Sequence, residues 1–255
     1  MKQSLDQREV MHGKRLAASD AEGIWGWGSP AGQVRAQRRA KMIMESARLG
    51  AESKVLEIGC GTGLFTEYFA RSGARLIAVD ISRELIGIAQ RRGLARGRVQ
   101  FLAESFEACL LEDSFDAVIG SSVLHHLNIR PALRKIYQVL KPGGRISFAE
   151  PNILNPQIML QKNIPCIKAR LGDTPDEIAF SSWQMRSLLE EIGFTDIFIT
   201  PFDWLHPAVP KVFIGPVSRF GLILERIPVL KAFAGSLHVA ACRPFLHLGS
   251  REGGV

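Results

Sequence analysis

A glycine-dense turn is the part of this sequence best suited to hold a ligand. It lies in Val55-Leu56-Glu57-Ile58-Gly59-Cys60-Gly61-Thr62-Gly63-Leu64-Phe65, where an apolar run precedes the glycines and a helix-compatible run follows them. Glycine lets the backbone turn sharply and approach a ligand without a Cβ in the way. Amides at the start of the next helix are donors for an anionic or strongly polar group. The segment therefore predicts a strand, a turn and a helix that together cradle a cofactor.

The spacing of these glycines argues against a pyrophosphate-containing cofactor. A dinucleotide site requires G-x-G-x-x-G, but Leu64 stands where the third glycine belongs, and that glycine arrives one residue early, at Gly63. The chain also contains no Gly-Lys pair followed by Ser or Thr, which a Walker-type phosphate loop requires. The observed pattern is G-x-G-x-G, preceded by the acid Glu57 two residues before the first glycine.

The cofactor turn must be positioned by a sheet, and the chain alternates strand-like and helix-like segments. Seven short apolar runs predict strands, at residues 54–58, 75–79, 98–102, 115–120, 145–149, 195–200 and 237–242. Helix-length segments lie at 33–49, 64–71, 84–92, 131–140 and 183–192. Ser82 is a candidate N-cap, and Ser181 with Gln184 forms a candidate capping box. The alternation predicts an α/β fold with a parallel sheet covered on both faces.

Composition excludes several classes of protein. The chain has 255 residues, of which 46% are hydrophobic and 22% charged, as in soluble globular proteins. Cys60, Cys109, Cys166 and Cys242 are scattered without zinc-ligand spacing, which favours a reduced, cytoplasmic protein. The N-terminus is charged where a signal peptide would be apolar, and no run approaches the ~18 apolar residues of a membrane span. The net charge of +7 permits a phosphate-bearing or membrane-surface partner, although its spread favours a solubilising surface.

Taken in order, the motifs resemble those of the class I S-adenosylmethionine-dependent methyltransferases, specifically the small-molecule type that includes quinone-biosynthesis methyltransferases. The resemblance covers residues 50–150 well and the rest in outline. It rests on four blocks: Glu57 to Gly63; Leu76-Ile77-Ala78-Val79-Asp80-Ile81-Ser82; Phe101-Leu102-Ala103-Glu104-Ser105 leading into Asp113-Ser114-Phe115-Asp116; and Val123-Leu124-His125-His126-Leu127 followed by Val139-Leu140-Lys141-Pro142-Gly143-Gly144. The ordered set is far more specific than any single block.

The resemblance implies a Rossmann-like, seven-stranded, mostly parallel sheet whose last strand is antiparallel, with an N-terminal helical cap. Where the strand–helix alternation breaks, the chain divides into an N-terminal helical cap segment at residues 1–50 and a methyltransferase domain at residues 51–255, with insertions near 151–180 and 202–234. The resemblance also implies S-adenosyl-L-methionine as cofactor, held by Glu57, Gly59, Cys60, Gly61, Gly63, Asp80, Ile81, Glu104, Ser105, Gly120 and Ser121. No metal is expected.

Individual roles follow within that set. Asp80 closes the second strand, where a carboxylate can accept both hydrogens of a ribose diol; the alternative is a charge that only stabilises the next helix. By resemblance, Glu57 organises the glycine loop and reaches toward the methionine amino group. Glu104 and Ser105 would contact the adenine, although the family more often has Asp at position 104. Cys60 is not assigned as a nucleophile, because its place in the loop requires only a small residue.

A hydroxyl acceptor would need a general base, and the candidates are His125, His126 and Glu150. Neighbouring helical positions point about 100° apart, so we expect only one histidine to face the ligand. We assign His125 as the candidate base and His126 to packing or capping; the alternative is that both are structural.

The acceptor itself is expected to be a small molecule, lipid-like or glycan-linked. Trp25 and Trp27, with Tyr68, are either the lining of the acceptor pocket or core residues. The apolar run at 212–230, which includes Arg219 and Arg226, is a lid, a dimer face, a peripheral membrane contact or buried packing.

A nucleic-acid methyltransferase and a non-catalytic cofactor-binding protein remain alternatives. The first would usually carry an Asn/Asp-Pro-Pro-aromatic motif after the fourth strand, where this chain has Ser121-Ser122-Val123-Leu124. No RNA-binding module is evident, so no nucleic-acid partner is expected. The sequence leaves the acceptor atom and the oligomeric state open.

Overall fold

The structure is a computed structural model that describes residues 5–94, 97–111, 114–164 and 179–245. Part of the 151–180 connection, with Cys166, lies outside the described residues, as does Asp113 of the third sequence block.

A seven-stranded sheet forms the centre of the described chain, in the order β3-β2-β1-β4-β5-β7-β6. The strands are β1 Lys54–Ile58, β2 Arg75–Asp80, β3 Val99–Ala103, β4 Phe115–Ser121, β5 Leu140–Pro151, β6 Thr195–Phe202 and β7 Ser236–Cys242. Neighbouring strands are parallel except that β7 runs antiparallel to both β5 and β6. This confirms the predicted Rossmann-like sheet with its antiparallel last strand.

The strand order brings several chain segments to one edge of the sheet. The carboxyl ends of β1 to β5 lie at this edge, as they must in a parallel arrangement. Because β7 is antiparallel, its first residue, Ser236, pairs with both Pro151 at the end of β5 and Phe202 at the end of β6. The connection between β6 and β7, residues 203–235, therefore leaves and re-enters the sheet at the same edge as the predicted ligand residues.

Helices cover both faces of the sheet. They are α1 Leu5–Ala17, α2 Ala21–Ile24, α3 Pro30–Ser46, α4 Leu64–Ala70, α5 Arg83–Gln90, α6 Ile129–Val139, α7 Pro156–Asn163, α8 Ser182–Ile192, α9 Ile214–Leu224 and α10 Pro228–Lys231. Short 3-10 turns lie at Leu124–His126 and Lys211–Phe213. On one face, Leu133 of α6 and Leu189 of α8 pack against Phe148. On the other, Ile43 of α3 and Phe69 of α4 pack with Leu76 of β2.

Local sequence signals account for several helix ends. The Ser82 hydroxyl accepts a hydrogen bond from the Leu85 amide, so Ser82 caps α5 as predicted. The predicted capping box of Ser181 and Gln184 is present at the start of α8, and Gly193 ends that helix with φ +103°. The Ser29 side chain caps α3, which therefore begins three residues earlier than the predicted helix at 33–49.

Candidate functional site

The glycine loop turns sharply at the end of β1. Gly59, Gly61 and Gly63 have φ values of +69°, +52° and +78°, which L-residues rarely adopt. A Cβ at Gly59 would also lie 2.4 Å from Cγ2 of Val123, so both the backbone and its surroundings require glycine there. The Gly59 and Cys60 amides donate to the Val79 carbonyl at 2.8 and 3.2 Å. These loop amides hold the turn against β2 rather than facing a ligand, which refines the expectation from sequence.

Glu57 is a buried carboxyl with unsatisfied hydrogen-bonding capacity. Its side chain lies at the end of β1 with 1% of its surface exposed, and its Oε2 has no hydrogen-bond partner among the described residues. Burial raises the pKa of Glu57 to about 8, and the negative charge of Asp80 adds to the effect while the Thr66 side chain opposes it. Because an unpaired buried charge is costly, this position is suited to a cationic ligand group.

Asp80 links the glycine loop to the start of α5. Its Oδ2 accepts from the Gly61 amide at 2.8 Å and its Oδ1 accepts from the Ser82 amide at 2.9 Å. Burial raises the pKa of Asp80, and these two amides oppose that shift. A carboxylate offers about four lone-pair sites, so two bonds leave it able to accept from a ligand diol. Asp80 thus fixes the loop as well as lying at the predicted ribose position.

The other predicted cofactor residues lie along the same edge. Ile81 is half-buried after β2, whereas Glu104 is exposed and Ser105 half-buried after β3. Gly120 lies close to β1, because a Cβ there would be 2.8 Å from the Ile58 carbonyl oxygen. Ser121 ends β4 and accepts a hydrogen bond from Arg39 at 3.2 Å.

A buried histidine–glutamate pair follows β4 and β5. The Nδ1 of His125 lies 2.7 Å from Oε2 of Glu150, with 6% of His125 and none of Glu150 exposed. The other oxygen of Glu150 accepts from the amides of Val123 and Leu124, both at 3.0 Å. Burial opposes ionisation of Glu150, but the hydrogen bond and charge of His125, with these amides, hold the pKa of the carboxyl below its ordinary value.

This arrangement fixes the tautomer of His125. An ionised carboxylate only accepts hydrogen bonds, so Nδ1 of His125 must donate to Glu150. In the neutral ring, the lone pair that accepts a proton then lies on Nε2. The pair has the chemical form of an oriented general base. The His126 ring packs against the His125 ring, with centroids 4.2 Å apart, and its own Nδ1 lies 3.3 Å from a carboxylate oxygen of Glu9 in α1.

The N-terminal segment contacts the same edge through Glu22, which the sequence did not mark, and through Trp25, which it did. Glu22 of α2 accepts from the Thr62 hydroxyl in the glycine loop at 2.8 Å and forms an ion pair with Arg92. The Nε of Arg92 also donates to the Thr62 carbonyl at 2.7 Å. The Trp25 ring lies 3.2 Å from where a Cβ of Gly61 would be. The residues in each contact are 30 or more positions apart in sequence, so no local pattern marks them.

Arg39 of α3 is a second residue that sequence reasoning missed. It is 97% buried, and its guanidinium donates to Ser122 at 2.9 Å and Ser236 at 2.5 Å. Burial lowers the pKa of Arg39 to about 10, and the charge of Arg35 adds to the effect. The signal in sequence was its position: it shares a helix face with buried Ala36 and Ile43, at i−3 and i+4.

The structure does not bring the three predicted acceptor-lining aromatics into one pocket. Trp27 packs edge-on against Phe65, with ring centroids 5.4 Å apart, and belongs to the core beneath Arg39. Tyr68 lies under the guanidinium of Arg71. Only Trp25 reaches the glycine loop. Cys60 is buried beside Ala78 and Ile86, and burial raises the pKa of its thiol well above the ordinary value, so it is a poor nucleophile.

Two further findings concern metal binding and membrane spans. Across residues 5–94, 97–111, 114–164 and 179–245, no cluster of three or more His, Cys, Asp or Glu side chains is arranged to bind a metal ion. Within the same ranges, no helix has both the length and the apolar character to cross a membrane.

Comparisons with known proteins agree with this geometry. Residues 56–148 match a family described as "Methyltransferase domain". Over 133 residues the chain is 35% identical to the ubiquinone biosynthesis O-methyltransferase of Xanthomonas oryzae pv. oryzae (strain PXO99A), covering 50% of this chain and 56% of that protein. It is 27% identical over 186 residues to the demethylmenaquinone methyltransferase of Paenarthrobacter aurescens (strain TC1), covering 65% of this chain and 71% of that protein. The chain thus spans little more than half the length of the first of these relatives.

A solved structure has the same fold over almost the whole chain. The N-methyltransferase NodS from Bradyrhizobium japonicum WM9, in complex with S-adenosyl-L-homocysteine, superposes with a TM-score of 0.64. The match covers 92% of this chain and 98% of NodS at 20% identity.

Proposed function

We propose that this chain, whose residues 56–148 form a class I S-adenosylmethionine-dependent methyltransferase domain, transfers a methyl group to a hydroxyl oxygen of a small, lipid-like acceptor. The observation that carries the proposal is the buried pair of His125 and Glu150 at the same sheet edge as the glycine loop. Hydroxyl acceptors are those that benefit from a general base. The names of the two quinone-pathway relatives support a lipid-like acceptor over a glycan-linked one.

The residues present fit S-adenosylmethionine. Three positive φ values make the glycine loop a sharp turn at the end of β1, and the unpartnered Oε2 of Glu57 suits the cationic amino group of the methionine portion. We expect the cofactor to be held by Glu57, the loop Gly59-Cys60-Gly61-Thr62-Gly63, Asp80, Ile81, Glu104, Ser105, Gly120 and Ser121. In this assignment Asp80 accepts from the ribose and Glu104 and Ser105 lie by the adenine.

S-adenosylmethionine supplies, when bound, a methyl group activated on a sulfonium. His125 accepts the acceptor's hydroxyl proton on Nε2, because Glu150 holds the other ring proton on Nδ1. Glu150 remains ionised, since it also accepts hydrogen bonds from the amides of Val123 and Leu124, and it stabilises the imidazolium that forms on His125. Holding the reacting atoms in line can itself contribute ~7–11 kcal/mol toward the barrier.

The N-terminal residues 1–50 serve in this proposal as a cap on the domain formed by residues 51–255. Glu9 contacts His126, while Glu22 and Trp25 contact the glycine loop. A cap of this kind excludes water from the reacting atoms, which displacement at a sulfonium requires.

The test combines cofactor binding with transfer of a labelled methyl group. S-adenosylmethionine affinity is measured by calorimetry, and transfer is measured to a prenylated catechol, a catechol sugar conjugate and an RNA pool. We expect transfer to the oxygen of the prenylated catechol. His125→Gln should lower kcat by about 10²–10⁴ and remove the acid limb of its pH profile while cofactor affinity is retained. His206→Gln, on an exposed loop, is the matched control.

Three outcomes would contradict the proposal. Preferred methylation of RNA would replace it with a nucleic-acid function, and cofactor binding without transfer to any acceptor would replace it with a binding function. Equal pH profiles for wild type and His125→Gln would leave the methyltransferase assignment intact but remove the base.

A further inference from the structure

The connection between β6 and β7 exposes an unusual amount of apolar surface. Nineteen large apolar side chains are exposed among the described residues, and nine of them lie between 212 and 233. Val212, Phe220, Ile223 and Val229 have 77%, 60%, 55% and 70% of their surface exposed. Isolated exposed apolar residues are normal, but a contiguous group of this size marks an interaction surface. We call residues 211–233 the apolar connection.

The charges of the apolar connection are almost all positive. It contains Lys211, Arg219, Arg226 and Lys231, and its one acid is Glu225. Glu225 does not offset the cations at the surface, because its carboxylate accepts hydrogen bonds from Nη1 and Nη2 of Arg38, at 2.8 and 2.5 Å. The exposed surface therefore combines large apolar side chains with unbalanced basic ones.

The apolar connection is held in place by polar anchors. Besides the ion pair between Glu225 and Arg38, the buried Asn152 donates to the carbonyls of Ala232 and Ala234, at 2.8 and 2.7 Å. Gly221 faces the Trp204 side chain and is the one buried residue of α9. The exposed side chains thus point outward from a fixed scaffold and are not a core segment left open.

We propose that the apolar connection docks the protein onto the surface of an anionic phospholipid bilayer. Short helices with Phe, Leu and Ile on one side and Lys and Arg beside them insert their apolar side chains at the boundary of headgroups and acyl chains. The helices are too short to span, since α9 has 11 residues and a span needs about 20. Anionic headgroups supply negative charge opposite the exposed Lys211, Arg219 and Arg226 and the half-buried Lys231.

A second copy of the chain fits this surface less well. A two-fold dimer would place the same patch against itself. Lys211, Arg219, Arg226 and Lys231 of one copy would then approach those of the other, with Glu225 already engaged by Arg38. Like charges brought together at an interface oppose association.

Docking would also orient the sheet. The apolar connection leaves β6 and enters β7 at the edge that carries the glycine loop and His125. The bilayer would therefore lie beside the proposed reaction edge, although the docking proposal stands without any assumption about the acceptor.

The experiment is vesicle flotation of the full chain. Vesicles of phosphatidylcholine alone are compared with vesicles containing about one third phosphatidylglycerol, in about 0.1 M and about 1 M salt. We expect binding to the anionic vesicles that weakens at high salt. Arg219→Gln with Arg226→Gln should weaken it about 25-fold, taking about fivefold for each cation. Phe220→Ser with Ile223→Ser should weaken it by more than about tenfold.

Matched controls and a second measurement keep the result decisive. Trp183→Ser removes an equally exposed apolar side chain elsewhere, and Lys141→Gln removes an exposed cation at the start of β5, on the opposite edge of the sheet; both should bind like wild type. Thermal melting and cofactor affinity verify that each variant is folded. The proposal is overturned if anionic vesicles bind no protein, or if all variants bind equally. It is also overturned if light scattering finds a dimer that the Phe220→Ser/Ile223→Ser variant abolishes.

Discussion

The raised pKa of Glu57 predicts that cofactor binding releases a proton near neutral pH. The pKa of this carboxyl is about 8 in the folded protein against an ordinary value of 4.5. At pH 7, about nine in ten copies therefore carry the proton when no ligand is bound. A cationic amino group placed against Glu57 favours the charged form and lowers that pKa. Binding should then release up to ~0.9 proton, and affinity should rise by up to about tenfold per pH unit below pH 8.

The same carboxyl makes the free protein less stable as pH rises. A folded-state pKa above the unfolded value means that, between about pH 4.5 and pH 8, the native state holds a proton that the unfolded state has lost. Folding stability therefore falls as pH rises through this window. Each pH unit is worth about 1.4 kcal/mol, so the full effect is about 5 kcal/mol. Glu57→Gln, which keeps the shape and cannot ionise, should remove this part of the pH dependence.

Calorimetry in buffers of different ionisation enthalpy measures the proton number directly. Titrations with S-adenosylmethionine belong between about pH 6 and 7, because an α-amino group itself titrates near pH 8. We expect proton release from wild type and from the control Glu52→Gln, an exposed carboxyl, but markedly less from Glu57→Gln. Equal proton numbers for wild type and Glu57→Gln would refute the assignment of Glu57 to the cationic group.

Three further predictions concern stability. Gly59→Ala should cost about 2–4 kcal/mol in denaturant unfolding, from its φ of +69° and the close Val123 side chain; Gly93→Ala, with φ +65° in open space, should cost only about 1–2 kcal/mol, and equal losses would contradict the steric argument. Ser181→Ala should lower the free energy of unfolding by about 1 kcal/mol and Tm by about 2–4 °C, because it removes the capping box. An unchanged Tm would count against a stabilising role for the box. Burial lowers the pKa of His238 to about 4, so between about pH 6.5 and pH 4 this side chain is protonated in the unfolded protein but neutral in the folded one. Folding stability is therefore lost as pH falls through this window. His238→Asn should flatten this loss, and a parallel pH dependence in wild type and variant would refute the prediction.

The parts of the fold that sequence could predict are those whose signals are local. The seven strands, the Ser82 cap and the capping box of Ser181 follow from short patterns of apolar, turn and capping residues. β1 has its predicted bounds, and the other strands extend beyond theirs, most of all β5, which begins at Leu140 rather than residue 145. Leu140 pairs with Phe115 and Arg145 pairs with Ala117 of β4, so Lys141-Pro142-Gly143-Gly144 form a bulge between two paired positions. The turn-forming residues alone do not reveal that pairing.

The remaining site residues could not be predicted because they act through distant partners. Helix α1 is strongly charged and low in apolar residues, and it packs along α5, where Gly13 lies against Ser82. Glu and Arg are common at protein surfaces, so nothing in the sequence marks Glu22 or Arg39. Only the tertiary structure places them beside Thr62 and Ser122, respectively. Glu150 was a candidate base, but its role as the partner of His125 depends on the pairing of β4 with β5.

The hydrogen bond from the Thr62 hydroxyl to Glu22 makes α2 part of the glycine loop's support. Trimming a protein at its amino end is commonly treated as harmless, and here it would remove the carboxylate that also orients Arg92. A shortened chain would keep its sheet and most of its core, since neither depends on α1 or α2. Removing α1 and α2 would instead leave the glycine loop less firmly held, so fragments meant for screening or crystallisation should retain the amino-terminal helices.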